Sequence, residues 1–460
     1  MFQKIFGTFA NCFKIPELKS RIIYTIIVLA VCRAVSMIPI PGINGAGLQQ
    51  FFEEQSRSGG GGMMGMYSMF TGGALERCAI GALGIMPYIS ATIIIQLLSA
   101  VVPRLSKLMR EEGGRAKIIQ YGRYLTLLLC VGQGLFMTLS WSKAENFFEG
   151  FSGDLLMPYM RDNLWWFFIQ TTIVLTTGTM LLMWFGEQIT ERGIGNGVSL
   201  VISIGILARL PAAYQGIKDM IKGTAEGGFN PFYAVILIAL LVVVVAGVIA
   251  ITQAQRKVPV QYAQRAVGRK VYQGGTSFMP LRVNYAGVMP VIFASAILMF
   301  PAQIFSKAGT YFGIEFLSRL ANMLQERHAF YLVVYGLMIL FFSYFWVATQ
   351  FNEIQIADDL KKYGGYIPGV RPGQATSDFL HNAMSRITLA GAVFLTIIAV
   401  IPIILTNNMN VQPQVAQFFG GTGMLILVGV MLDTIRQMES HLLMRHYDGF
   451  LKKGRVKGRL

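Results

Sequence analysis

The chain has 460 residues, of which 54% are hydrophobic and only 13% are charged. This composition excludes an ordinary soluble domain and is typical of a polytopic membrane protein. The net charge of +16 would favour a nucleic-acid partner in a soluble protein. In a membrane protein its meaning depends on how lysine and arginine are distributed among the loops. The four cysteines are scattered without a CxxC pair, so neither a disulfide framework nor a zinc site is predicted.

Ten apolar stretches are predicted to be membrane-spanning helices, because each approaches the length that a bilayer requires. When the N-terminus is placed on one side, the large majority of the 39 lysine and arginine residues fall on that side. The positive-inside rule therefore predicts that both termini are cytoplasmic. The predicted spans are residues 22–39, 79–101, 118–139, 165–184, 194–210, 232–251, 288–304, 330–348, 387–405 and 424–443.

The stretch of residues 72–101, which contains the second span, is unusual because glycines, the charged pair Glu76 and Arg77, and Pro87 interrupt its apolar sequence. One interpretation is a core helix with a proline kink. The other rests on an echo: GIMPYISA at residues 84–91 is matched by GVMPVIFA at residues 287–294. Broken segments at corresponding places of two halves are typical of a functional centre in an inverted repeat. Since each half has an odd number of spans, the second half is expected to enter the membrane inverted.

This organisation predicts an N-terminal half, an external connecting loop, a C-terminal half and a basic cytoplasmic tail. The fold class is thus an all-α polytopic membrane protein with ten transmembrane helices in two inverted five-helix halves. The four segments are residues 1–210, 211–229, 230–445 and 446–460.

Two cytoplasmic loops, residues 252–285 and 349–386, are predicted to project from the membrane. In the first, Val258, Val260 and Tyr262 alternate with polar residues, which predicts a small β-hairpin. The second places Arg371 between two Pro/Gly turns. Positive-inside bias explains most of the charge, but basic projections also suit a phosphate-rich partner such as ribosomal RNA.

Patterns typical of enzymes are weak in this chain. It contains no P-loop, HExxH or GxSxG motif, and His441 and His446, five positions apart, do not by themselves form a metal-binding motif. The glycine-rich run at residues 192–197 resembles a phosphate loop but follows no predicted strand. We therefore expect neither an enzyme nor a bound cofactor or metal. Ion-coupled transport is the alternative, although the predicted spans hold few ionisable residues near the midplane.

Several long motifs occur in order along the whole chain and together closely resemble the SecY family of bacterial protein-conducting channels. The motifs are IPIPG at residues 38–42, MFTGGAL at 69–75, ALGIMPYISA at 82–91, GEQITERGIGNG at 186–197, NYAGVMP at 284–290 and PGVRPG at 368–373.

The resemblance implies a central hourglass pore in the bacterial cytoplasmic membrane that passes unfolded, signal-bearing polypeptides across it or sideways into lipid. It also implies a pore ring of aliphatic side chains, a plug at about residues 64–75, and a lateral gate between the second and seventh spans. The ring positions are Ile85, Ile89, Val198, Ile202, Ile292 and Ile426. The plug positions are Met64, Met66, Met69, Phe70, Gly72, Gly73 and Leu75.

The resemblance further assigns a signal-sequence binding gate and a cytoplasmic docking surface. The implied partners are SecE-type and SecG-type subunits, the SecA motor ATPase, the ribosome, the translocating polypeptide and membrane lipids. The gate positions are Pro87, Ser90, Thr92, Ile93, Gln133, Pro290, Phe293 and Ser295. The docking positions are Arg265, Arg269, Lys270 and Arg371, with Gln264 where the family usually has a basic residue. The alternative function remains an inverted-repeat secondary transporter of a small solute.

Overall fold

The computed structural model is mostly helical and divides into two compact units. Unit 1 comprises Met1–Phe229, Val411–Phe418 and Ile426–Leu460, and unit 2 comprises Asn230–Asn410 and Phe419–Leu425. The residues described below are 15–57, 68, 70–111, 113–144, 151, 153–221, 232–262, 265–267, 270–272, 275–324, 328–408, 415, 418 and 422–453.

Unit 1 holds the helices of the predicted N-terminal half, a helix in the predicted external loop and most of the last helix of the chain. Its helices are α1 (Pro16–Val35), α2 (Gly45–Arg57), α3 (Met86–Val101), α4 (Pro103–Arg110), α5 (Gly114–Ser142), α6 (Pro158–Arg161), α7 (Leu164–Arg192), α8 (Gly197–Leu207) and α9 (Leu210–Ile221). The last helix of the chain, Thr422–Lys453, is α16 and belongs to unit 1 from Ile426 onward.

Unit 2 combines long apolar helices with a small β-sheet. Its helices are α10 (Phe232–Gln253), α11 (Met289–Phe312), α12 (Glu315–Met323), α13 (Ala329–Gln350), α14 (Glu353–Lys362) and α15 (Gln374–Asn408). Its strands are β1 (Gln255–Tyr262), β2 (Arg265–Val267), β3 (Lys270–Tyr272), β4 (Thr276–Arg282) and β5 (Gly365–Tyr366).

A helix overlaps each of the ten predicted spans, and the all-α membrane fold is confirmed. Among the described residues, six segments are long and apolar enough to cross a membrane. The number of membrane-crossing helices, predicted to be ten, therefore stays a prediction. The six segments are Ala116–Ser142, Leu164–Arg192, Gly197–Lys218, Val235–Gln253, Ala329–Lys362 and Gln374–Leu405.

The second predicted span differs from the structure, because its helix begins at Met86 rather than at residue 79. Residues 71–78 and 80–85 form successive turns instead, and Ala79 between them forms an isolated β-bridge with Pro39. A helix of 16 residues is about 24 Å long, which is shorter than the roughly 30 Å hydrocarbon core. Gly72, Gly73 and Gly84 have positive φ angles, which are incompatible with a continuous right-handed helix.

The sequence echo is also an echo of backbone conformation. Gly84 and Gly287 have φ angles of 58° and 63°. The next residues, Ile85 and Val288, cap their helices with φ/ψ of −97°/4° and −94°/−1°. In each unit the helix then begins with Met-Pro, where the missing proline N–H costs no hydrogen bond. The repeat is therefore structural as well as sequential, whereas the inversion of one half relative to the other stays a prediction.

Other element boundaries also differ from the predicted ones. The predicted external loop at 211–229 contains α9, and α15 begins at Gln374, well before residue 387. The last helix continues into the predicted basic tail as far as Lys453. Apolar content marks the membrane-embedded part of a helix, and amphipathic or charged helix ends extend beyond it.

The predicted β-hairpin of the sixth loop is confirmed and is larger than expected. Strands β1 and β4 pair antiparallel with Val260 opposite Ser277, while β2 and β3 form a separate pair between them. Strand β5 of the eighth loop adds to β1, with Gln261 opposite Tyr366. Val258 and Val260 are buried in a core shared with α13 and α15. The two loops expected to project separately are thus one packed structure.

Candidate functional site

The predicted plug positions that the structure describes are packed inside unit 1. Phe70 and Leu75 are buried, and so is Thr71 between them. A Cβ atom on Gly205 of α8 would lie 3.3 Å from the Gly72 nitrogen and 3.3 Å from the Phe70 carbonyl oxygen. The plug backbone therefore lies directly against the backbone of α8, at a place where a side chain on residue 205 would require the plug to shift by a few tenths of an ångström. Met64, Met66 and Met69 lie outside the described residues.

Polar side chains fix this segment in place. The Arg33 guanidinium of α1 donates to the Gly72 carbonyl at 2.5 Å. Arg209, which follows α8, donates to the Glu76 carboxylate at 2.5 Å and to the Ser68 hydroxyl. The Ser68 hydroxyl in turn donates to Glu76 at 2.7 Å.

Sequence reasoning missed this polar cluster, since Glu76 was considered only as an interruption of an apolar stretch. A signal was present in the sequence: a charged side chain at membrane depth is costly unless it has a partner. The pattern could not name that partner, because Arg209 lies 133 positions from Glu76.

The predicted ring positions are nearly all buried. Ile85, Ile89 and Ile202 are buried in unit 1, as is Ile426 at the start of the unit 1 part of α16. Ile292 is buried on α11 of unit 2. The role of these side chains as a ring stays a prediction.

Val198 differs from the other predicted ring positions, because it is half-buried. Its Cγ2 atom lies 3.3 Å from where a Cβ on Gly186 of α7 would be. Val198 therefore packs on α7, whatever it also contributes to a ring.

One ring position lies beside the plug. Ile85, Phe70, Thr71 and Arg33 line a common cavity of about 20 Å³, together with residues of α7 and α8. A site of this size can hold about one water molecule. The structure thus brings the plug, the start of α3 and one ring side chain together within unit 1.

The predicted gate positions of α3 have their hydroxyl groups satisfied within the helix. Ser90 donates to the Met86 carbonyl at 3.0 Å, and Thr92 donates to the Tyr88 carbonyl at 2.8 Å. Pro87 and Ile93 are buried, and Gln133 on α5 is half-buried. A hydroxyl that bonds to its own helix leaves the helix surface effectively apolar.

The gate positions of unit 2 are buried on α11. Ser295 donates to the Ile292 carbonyl at 2.9 Å, and Pro290 is the first-turn proline. The ring of Phe293 makes edge contacts with Phe342 and Trp346 of α13 at centroid distances of 5.9 and 5.4 Å.

Arg371 is an exposed side chain on a constrained turn of unit 2. Gly369 and Gly373 on either side have φ angles of 84° and 102°. The Arg371 carbonyl accepts a hydrogen bond of 2.9 Å from the Thr376 hydroxyl at the start of α15. The backbone of Arg265 lies on β2 and that of Lys270 on β3. Arg269 and Gln264 lie outside the described residues.

The glycine-rich run at residues 192–197 has a structural role. The backbone N–H of Ile194 donates to Thr25 of α1 at 3.1 Å, and that of Gly195 donates to Gln437 of α16 at 2.9 Å. The N–H of Gly197 donates to Thr190 at 2.9 Å. These three donors are therefore already used within unit 1, which disfavours a phosphate loop.

Comparison with known proteins decides the family. A SecY family model matches residues 79–435, which is most of the chain. The chain belongs to the SecY family. The protein translocase subunit SecY of Thermotoga maritima is 41% identical to it over 453 residues, covering 98% of this chain and 99% of that protein. The SecY subunit of Chlamydia trachomatis is 42% identical over 464 residues, covering 98% and 100%.

Solved structures agree on the fold of this SecY-family chain. A structure described as that of a protein conducting channel superposes with a TM-score of 0.59 at 18% identity, covering 94% of this chain and 96% of the other. Sec61 in the canine ribosome-channel complex from the endoplasmic reticulum gives a TM-score of 0.53 with the same identity and coverage. The protein is accordingly a multi-pass membrane protein with the SecY fold.

Proposed function

We propose that this SecY-family protein is the central subunit of a protein-conducting channel. It passes unfolded, signal-bearing polypeptides across the bacterial cytoplasmic membrane and releases transmembrane segments laterally into lipid. The observation that carries this proposal lies in unit 1. There the segment Phe70–Leu75 is buried beside Ile85, at the start of α3, a helix shorter than the hydrocarbon core is thick. A membrane segment broken in this way suits a pore that is closed by a movable piece of chain.

The chemistry of the ring positions supports passage of a polypeptide rather than an ion. Isoleucine side chains offer no oxygen ligands to replace the hydration shell of an ion, so an apolar constriction opposes ion flow. The same side chains can rotate around an extended polypeptide, because they make no directional bonds with it. Ring positions 85, 89, 202 and 426 of unit 1, with 292 of unit 2, are all buried aliphatic residues.

Lateral release is proposed to occur between α3 and α11, the two helices that share the conformational repeat. Their gate hydroxyls bond within their own helices, so separating the helices would break no bond made by Ser90, Thr92 or Ser295. An apolar signal sequence that binds to α3 and α11 therefore meets helix surfaces that are as apolar as its own.

Energy for transport is proposed to come from a partner, either a SecA-type motor or a translating ribosome, since the chain itself is proposed to be no enzyme. Exposed Arg371 on its rigid turn, beside the sheet of β1, β4 and β5, supports a docking role. A similar fold occurs in a ribosome-bound channel complex of another organism. SecE-type and SecG-type subunits are proposed to accompany the chain, with both of its termini in the cytoplasm.

Depletion of the protein from cells tests this function. We expect signal-bearing precursors to accumulate in the cytoplasm as the protein disappears, because their proposed route across the membrane is lost. Pulse-labelling followed by immunoprecipitation measures the uncleaved precursor. Export at the normal rate in depleted cells would contradict the proposal.

A further inference from the structure

The plug segment is fastened to unit 1 at two separate points by polar contacts. One point is the Gly72 carbonyl, which accepts from Arg33 of α1 at 2.5 Å. The other is the Glu76 carboxylate, which accepts from Arg209 at 2.5 Å. Neither contact is needed to form an aliphatic ring, and both join the segment to helices far from it in sequence.

The ion pair at the second point is largely removed from water. Side chains of Arg209 and Glu76 are 23% and 17% exposed, and the Ser68 hydroxyl that bonds to both is buried. A pair in such a place is screened little by salt, so its attraction is stronger than that of a surface pair. Removal of one partner leaves the other charge largely buried and poorly compensated.

Arg209 lies just after α8, the helix whose backbone contacts the plug. It follows the last turn of α8, where its backbone N–H donates to the Ile206 carbonyl at 3.0 Å. Positive charge is favoured at this end of a helix by the helix dipole. Gly205, one turn earlier, contacts the backbone of Gly72. The end of α8 and the residues just after it therefore supply both the backbone contact with the plug and the cation that holds it.

We propose that Arg33, Arg209 and Glu76 are plug-positioning residues, forming a two-point latch that sets how often the resting channel opens. This inference rests on the proposed channel function. The latch holds the plug until the incoming polypeptide displaces it, and breaking either point shifts the population toward the open channel.

The ion pair is tested with Glu76→Gln, Arg209→Gln and the double variant in the purified channel complex, in planar bilayers. Each single variant is expected to raise resting ion conductance about tenfold, which corresponds to about 1.4 kcal/mol of lost closed-state preference. The double variant is expected to leak no more than either single variant, because both changes remove one interaction. The matched control is the exposed ion pair of Glu315 and Arg319, whose charged atoms are 2.7 Å apart. Its Gln variants should leave conductance unchanged.

The contact of Arg33 with Gly72 is tested with Arg33→Gln, which should also raise the resting ion conductance. This variant provides a test of the latch if the Glu76 variant fails to accumulate. Abundance and translocation of a normal precursor are measured alongside, and we expect both to persist while a precursor without a signal sequence is now exported. A merely structural role would lower abundance without this change in selectivity.

Deletion of residues 64–75 separates failure of the latch from failure of the proposed function. If the single variants accumulate normally and show no added ion conductance while the deletion variant conducts ions, the latch is refuted and the channel function is retained. A deletion variant that neither conducts ions nor translocates would count against the channel itself.

Discussion

Ile89 is a buried side chain at the first turn of α3, within the segment where the plug and the proposed ring meet. Its role can be tested because the same helix also carries Ile94, which is exposed. We predict that Ile89→Asn makes the resting channel leak ions, since an amide can share in the hydration of an ion that an isoleucine repels. Ile426→Asn is expected to act in the same way.

Planar-bilayer conductance measures this effect, with Ile94→Asn as the matched control that should remain sealed. The expected change for Ile89→Asn is an increase of about tenfold or more, as for any loss of about 1.4 kcal/mol in the barrier. Equal conductance in the Ile89 and Ile94 variants would refute the assignment of Ile89 to the ring.

The docking proposal can be tested by substitution of the exposed residue Arg371. Arg371→Glu is predicted to reduce motor-driven translocation severalfold with little effect on abundance, because a surface charge typically changes stability by no more than about 0.5 kcal/mol. Lys362→Glu provides the control, since it makes an equal charge change at an exposed site on α14 of the same loop. Vesicle translocation driven by the motor and ATP measures the difference, and equal rates for both variants would exclude a specific role for Arg371.

At the scale of elements, the turn before α3 depends on Gly84, whose φ of 58° places it in the left-handed region. A Cβ there would also lie 3.1 Å from the Thr71 side chain of the plug segment. We predict that Gly84→Ala lowers the free energy of unfolding by about 1–2 kcal/mol, the cost of this conformation for an L-residue.

The matched control is Gly132→Ala in the middle of α5, where a Cβ meets nothing within 4 Å. That change should raise the stability by about 0.5–1 kcal/mol, because alanine favours the helix over glycine. Thermal unfolding of the two purified variants in detergent measures both. A stabilised Gly84→Ala protein would contradict the strained turn.

The elements that were predicted well are those in which one property decides the structure. Long apolar stretches form helices because a helix satisfies its backbone hydrogen bonds in lipid within one segment, and the alternating Val258 and Val260 correctly indicated a strand. The pairing of β5 with β1 could not be predicted, since β5 has only two residues and its partner lies in another loop. The start of α3 was misplaced because residues 79–85 are as apolar as the helix that follows.

At the scale of the whole molecule, the family and the membrane fold followed from the sequence, whereas the contacts that fasten the plug did not. The contacts of Arg33 with Gly72 and of Arg209 with Glu76 join positions 39 and 133 residues apart. Local patterns carry no information on such pairs. The division into two units places most of α16 with unit 1, a grouping that chain order alone does not suggest.

Reconstitution shows whether this protein conducts polypeptides. The purified complex containing this protein is placed in liposomes with a SecA-type motor, ATP and a signal-bearing precursor, and the fraction of precursor protected from external protease is measured. The proposed function predicts protection that requires ATP, the signal sequence and this protein. Saturable, ion-coupled uptake of a small solute without any precursor protection would contradict it and favour a secondary transporter.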